Sequence, residues 1–195
     1  MDVNLLGLIA ALVAVTVWHE VGHWIAARAV GVPVRRIYVG MGPVLWRRTL
    51  RQDTDLALRA LPLGMAIAVS GRRADDGTLR RPIDHDLLMA AGGPLASFAL
   101  TGLLIAAALW LPLPGAWQET LAEIGLLSAV LAVLNLMPIP GLDGGHLLVL
   151  GAARFGWAMT PVQEVRLHRW GVNLVAFACL VPLCLVVWRH LMAVA

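Results

Sequence analysis

Leu5-Leu6-Gly7-Leu8-Ile9-Ala10-Ala11-Leu12-Val13-Ala14-Val15-Thr16-Val17-Trp18-His19-Glu20-Val21-Gly22-His23-Trp24 is the heart of an apolar stretch running from Val3 to Ala29. A bilayer-crossing helix needs about 20 predominantly apolar residues, so this stretch is long enough to span. Within it, His19-Glu20-Val21-Gly22-His23 forms an H-E-x-x-H pattern. At about 100° per helical residue, two positions four apart differ by roughly 40° around the axis, so both imidazoles can grip one metal ion. Glu20 projects beside them, where a carboxylate can take a proton from an activated water. Chance occurrence of this pattern in such a chain is on the order of one in a few hundred. Two imidazoles and a carboxylate facing hydrocarbon are costly unless they are paired, coordinated or hydrated. The stretch therefore reads as a hydrolytic metal site buried in a membrane.

The rest of the composition agrees. Of 195 residues, 59% are hydrophobic and 14% charged, and the mean hydropathy is +0.79, which excludes an ordinary water-soluble domain. We expect an integral membrane protein folded as a single embedded domain over residues 1–195. The first apolar run exceeds a signal-peptide core, follows Asp2 instead of a basic segment, and carries the motif, so it is expected to be retained. All 15 basic residues are Arg, a hint of a GC-rich prokaryotic genome. The net charge of +3 comes from Arg grouped between apolar runs, where membrane topology explains it and no nucleic-acid partner is needed. Cys179 and Cys184 share the last apolar run and read as reduced packing residues. With no metal-type Cys spacing, nitrogen and oxygen must supply the ligands.

Four spanning helices are expected, over Val3–Arg28, Ile83–Leu111, Glu119–Leu136 and His168–Leu191, with a fifth, shorter run from Gly144 to Met159. Eleven Arg lie between Arg28 and Arg81, whereas Pro112 to Gln118 contains none. The positive-inside rule then puts the segment 31–81 and the active site toward the cytoplasm. Both termini fall outside, and the fifth helix goes only partway or lies near the cytoplasmic face. Trp110, Trp117, Trp157, Trp170 and Trp188 sit near the expected span ends, as interface anchors do. Within 31–81, the runs Val34–Val39, Val44–Trp46, Leu56–Leu61 and Met65–Val69 predict short strands in one or two membrane-associated hairpins. Such a basic hairpin either lies on anionic headgroups or offers a strand edge to an extended substrate, and the residues do not choose between these.

A catalytic zinc site needs a third protein ligand. The segment Asn135-Leu136-Met137-Pro138-Ile139-Pro140-Gly141-Leu142-Asp143-Gly144-Gly145-His146 breaks a helix at membrane depth, which is tolerated only inside protein or along a wet cavity. Asp143 is read either as the ligand completing a His, His, Asp set or as the N-cap of a helix beginning near Gly144. Asn135 either orients substrate or stabilises an oxyanion, or else satisfies backbone groups freed by Pro138. His146, three residues after Asp143, is read as hydrogen-bonding locally or facing the cytoplasm and not as a ligand. Ala91-Gly92-Gly93-Pro94-Leu95-Ala96-Ser97 supplies small residues for close helix approach. Asp84, His85 and Asp86 read as a solvated helix start.

With these motifs in order, the chain resembles the site-2 protease family of intramembrane zinc metalloproteases. The resemblance is carried by His19-Glu20-Val21-Gly22-His23, by Gly93-Pro94, and by Asn135-Leu136-Met137-Pro138 through Leu142-Asp143-Gly144-Gly145. It implies His19, His23 and Asp143 as ligands of one Zn2+ per chain and Glu20 as catalytic acid/base. It also implies single-span membrane proteins as substrates, among them transcription-factor precursors, anti-sigma factors and remnant signal peptides. Ser97 stands where many members have Asn, and Met65-Ala66 follows Leu61-Pro62-Leu63-Gly64 where a Gly and a bulky aromatic are common. With no room for an inserted PDZ or appended nucleotide-sensing domain, the expectation is a minimal core controlled by a separate regulatory membrane protein. The reaction expected is peptide hydrolysis in the membrane plane. The alternative is a non-catalytic membrane protein binding zinc or a client helix, against which an intact Glu20 argues. A metal transporter would need ionisable residues repeated along the bilayer, and here they cluster at one depth.

Overall fold

The structure, a computed structural model, describes residues 5–50, 54–71, 81–157, 159–160, 162–175 and 177. Helix α1 (Leu5–Ala29) is followed by strands β1 (Val34–Thr49) and β2 (Asp55–Val69), then α2 (Ile83–Trp110), α3 (Gly115–Asn135) and α4 (Asp143–Arg154). A further helical stretch occupies 162–175, beginning upstream of the expected His168, and the remainder of the fourth expected span, with Cys179 and Cys184, lies outside the described residues. Cα packing divides the chain into two compact units, Met1–Leu136 and Met137–Ala195.

In the first unit, α1, α2 and α3 are each long and apolar enough to cross a membrane. Only 17%, 28% and 17% of their most apolar windows are buried, and residues such as Leu103 and Leu126 point outward, each about two-thirds exposed. Helices apolar all round and mostly uncovered have lipid as their complement. Where they do meet, small residues let backbones approach. A Cβ on Gly22 would meet the Ala96 Cβ at 2.5 Å, and one on Gly92 would meet the Gly22 carbonyl oxygen at 2.6 Å and the Ala26 Cβ at 2.8 Å. The α1–α2 crossing is therefore centred on a glycine pair that no other residue can replace without moving a helix. Helix α3 begins at Gly115, earlier than expected, because Pro114 caps it and Gly115 to Gln118 continue the helix.

The expected four short strands are two long ones. Gly40 and Gly42 adopt φ of 92° and 88°, a region open to glycine, so β1 bends there instead of ending. The two strands pair antiparallel, with Thr49 opposite Asp55 at the turn and Val34 opposite Val69 at the far end. Register shifts recur along the ladder, and Arg36, Ile37, Tyr38 and Val39 each have partners in both halves of β2. The sheet packs on a small core of Ala26, Ala27, Val32, Val34 and Met89, with Ile37, Ile67 and Val69 against it. It is thus anchored where α1 ends and α2 begins. The return into α2 corrects one expectation: Asp86 is buried, not solvated. Its Oδ1 accepts from Arg81 Nε at 2.7 Å, and Arg81 Nη1 donates to the Ser70 carbonyl at 2.8 Å, clasping the end of β2 to the first turn of α2.

In the second unit, α4 has 12 residues, about 18 Å of helix against a hydrocarbon core of about 30 Å. It stops at Arg154, short of the expected Met159, where Gly156 (φ 92°) follows as a terminating glycine. Before α4, the Pro140–Gly141 backbone lies directly on Gly171 and Val172, so close that a Cβ at Gly171 would overlap the Pro140 carbonyl.

Candidate metal centre

Four-residue spacing on α1 places His19 and His23 on one face, and that face is turned to α2. His19 is 4% exposed, while Glu20 and His23 are half-buried. One ligand atom from each of the three lies within 4.8 Å of the others, the one such group of three among the described residues. The two Nε2 atoms stand 3.3 Å apart with the rings nearly perpendicular, at 80°. Gly93 on α2 is the floor of this space, since any Cβ there would collide with both Nε2 atoms.

The other ring nitrogens decide which atoms are available. His23 Nδ1 is 2.7 Å from the Met89 carbonyl oxygen, which can only accept, so Nδ1 carries the proton and Nε2 keeps its lone pair. The Gly93 amide, 3.3 Å from the same Nδ1, is then a close neighbour and not a hydrogen-bond donor to it. His19 Nδ1 is 3.0 Å from Ser97 Oγ. Pro94, buried inside α2, lacks the amide that would bond the carbonyl one turn back, which loosens the turn facing His23. On the flank of the site, the Trp18 indole donates to the Ala96 carbonyl at 2.9 Å.

This arrangement fits zinc. A tetrahedral ion with bonds of about 2.0–2.1 Å to imidazole nitrogen sets two such nitrogens about 3.3–3.4 Å apart, which is the separation seen here. Both histidines have the opposite nitrogen tied to a second partner, as metal-ligating histidines do. Glu20 points its Oε2 toward β2, accepting from the Ile67 amide at 3.2 Å. The carboxylate therefore lies between the imidazole pair and a β-strand.

Asn135 is the last residue of α3, and its Nδ2 donates to the Leu131 carbonyl at 3.0 Å. Pro138 frees the Leu134 carbonyl by its position, so this bond is not repair of that break. Asp143, half-buried in the second unit, is the first residue of α4, and the cap position belongs to Leu142 with no side-chain cap bond. The N-cap of α4 is therefore Leu142 and not Asp143. His146 is exposed, its ring 4.9 Å from that of His168. Sequence reasoning missed the Met89 carbonyl, the Ser97 hydroxyl and the Ile67 amide as partners of the motif. One signal was available for Ser97: Gly93 and Ser97 repeat on α2 the four-residue spacing of His19 and His23 on α1.

Comparison with known proteins bears on this geometry. The model of "Peptidase family M50" matches residues 7–114 and 113–176. The Regulator of sigma-E protease RseP of Salmonella typhimurium is 36% identical over 103 residues, covering 49% of this chain and 23% of that protein. A Nostoc protein provisionally named a zinc metalloprotease is 29% identical over 177 residues, covering 84% of this chain and 46% of its own length. The chain thus matches less than half the length of either relative. Among solved structures, a site-2 protease from Methanocaldococcus jannaschii superposes with a TM-score of 0.55 at 18% identity, covering 96% of this chain and 70% of that one. At that identity the likeness speaks for the fold.

Proposed function

Because this chain belongs to peptidase family M50, we propose that it is an intramembrane zinc metalloprotease, cleaving peptide bonds in or near the spans of single-span membrane proteins. The observation that carries the reading is the convergence of the two Nε2 atoms at 3.3 Å beside a carboxylate that a pure metal site does not need. His19 and His23 are two ligands of one Zn2+ per chain. Asp143 is the third, on the strength of its place in the Asn135-to-Gly145 motif. A zinc ion held there would supply Lewis acidity to the attacking water and to the scissile carbonyl. Glu20 accepts the proton of the water whose oxygen bonds to the scissile carbonyl carbon, and gives it to the peptide nitrogen that leaves as the C–N bond breaks. Asn135 serves as a donor to the oxyanion, with its amide released from Leu131.

A peptide bond inside a helix is shielded, so the substrate must be extended when attacked. The Ile67 amide on β2 reaches Glu20, so a segment laid alongside β2 would pass next to the acid/base. This favours the strand-edge reading of the hairpin over simple headgroup contact. Ala29 lies ten positions beyond His19, about 15 Å along the helix, so the site lies inside the membrane and nearer the Arg-rich, cytoplasmic end of α1. The chain acts embedded in a prokaryotic membrane.

The test uses the purified chain with a single-span substrate in proteoliposomes. E20Q is expected to keep its zinc and lose cleavage, by at least about 100-fold as for loss of an acid–base group. Undiminished turnover in E20Q would sink the assignment.

A further inference from the structure

We propose that Ser97 is a positioning residue for the metal centre, its hydroxyl holding the His19 ring so that Nε2 faces the ion. This role rests on the zinc reading above. His23 is fixed by a main-chain carbonyl, which no substitution removes. His19 instead depends on a side chain, Ser97 Oγ at 3.0 Å, and both residues are buried, at 4% and 0% exposure.

A hydroxyl suits this place because it can donate or accept. With metal on His19 Nε2, the proton resides on Nδ1 and Ser97 accepts it. Without metal, His19 Nε2–H can donate to His23 Nε2, 3.3 Å away, and Ser97 then donates to Nδ1. The ring is held in the same orientation in both states, so the site is formed before the ion arrives. Alanine supports neither state.

The backbone that carries the hydroxyl is itself held. The Ser97 carbonyl accepts from Thr101 Oγ1 and from Ser128 Oγ on α3, each at 2.9 Å. Thr101 Oγ1 also lies 3.1 Å from the Gly125 carbonyl. Ser128 is fully buried. The third helix thus braces the part of α2 that orients a ligand on the first.

Zinc affinity of the full chain in detergent, measured by competition with a chelator, tests this together with the visible spectrum of the Co2+-substituted protein. Losing the outer partner of a metal-bound histidine costs about 10–100-fold in affinity, and S97A is expected to fall in that range with an altered Co2+ spectrum. Alanine favours helix, and the Thr101 and Ser128 bonds go to the main-chain carbonyl that it retains, so S97A is expected to fold. S128A removes one brace on the Ser97 carbonyl, which Thr101 still holds, and leaves the Ser97 hydroxyl on His19, so it is expected to lose less zinc affinity than S97A. Wild-type affinity and spectrum in S97A would overturn the proposal. So would an equal loss in S128A, which would mark the effect as packing. A wild-type chain that binds no zinc would overturn the metal reading itself, a result distinct from either.

Discussion

A methyl group added at Gly93 would fall within van der Waals range of Nε2 on both His19 and His23. Side-chain tips can often swing aside, but these two are tied at their other nitrogens to Ser97 and Met89. To make room, the rings must abandon the convergence that fits zinc. G93A is therefore expected to reduce bound zinc from about one per chain to background, while the helices, which need only let two rings rotate, stay folded. Metal analysis of the purified variant beside its circular dichroism checks both halves; normal zinc content would mean that the ion does not sit over Gly93. At this scale the motif was legible because His19, Glu20 and His23 are local, five residues on one helix. Their partners were not, because Met89, Ser97 and Ile67 come within reach only through a helix crossing and a strand placement that no short pattern encodes.

Helices announce themselves by composition, and α1, α2 and α3 were read from apolar length alone. The strands were misread in extent, because Gly40, Gly42 and Pro43 look like terminators while two glycines at positive φ bend β1 and let it continue. Asp86 was misread in setting, since a charged residue next to a helix start looks solvated until its partner Arg81 is brought over it. The hairpin turn carries its own titration. Hydrogen bonds from Arg47 and then Thr49, with Arg36 adding its charge at 3.7 Å, hold the Asp55 carboxyl below the usual range. A depressed folded pKa means that the stabilisation is complete above the unfolded value of about 3.9 and is lost as pH falls through the folded one. Protection against hydrogen exchange at the amides of 44–50 and 55–58, taken relative to the intrinsic rate at each pH, is accordingly expected to fall below about pH 4, and D55N is expected to show the lower protection already at neutral pH with no further acid step. Protection that does not change with acid in the wild type would remove Asp55 from the turn's stability.

Across the whole molecule, the chain's charge is distributed by segment and not by sign. Eleven Arg lie from Arg28 to Arg81, and none from Pro112 to Gln118. The two groups flank α2, whose 28 residues make about 42 Å of helix, more than the hydrocarbon thickness of about 30 Å. Leu45 in the hairpin is 71% exposed and Trp117 at the start of α3 is 63% exposed, so each offers an accessible reporter of its side. In a background with Cys179 and Cys184 replaced by Ser, L45C is expected to react with a membrane-impermeant maleimide only in inverted vesicles, and W117C only in right-side-out ones. That outcome would support the proposed opening of the motif on α1 toward the cytoplasmic face, where positive charge is retained. Labelling of both positions from one side would mean that α2 does not cross. The exposed apolar faces of the helices would then need a protein partner in place of lipid.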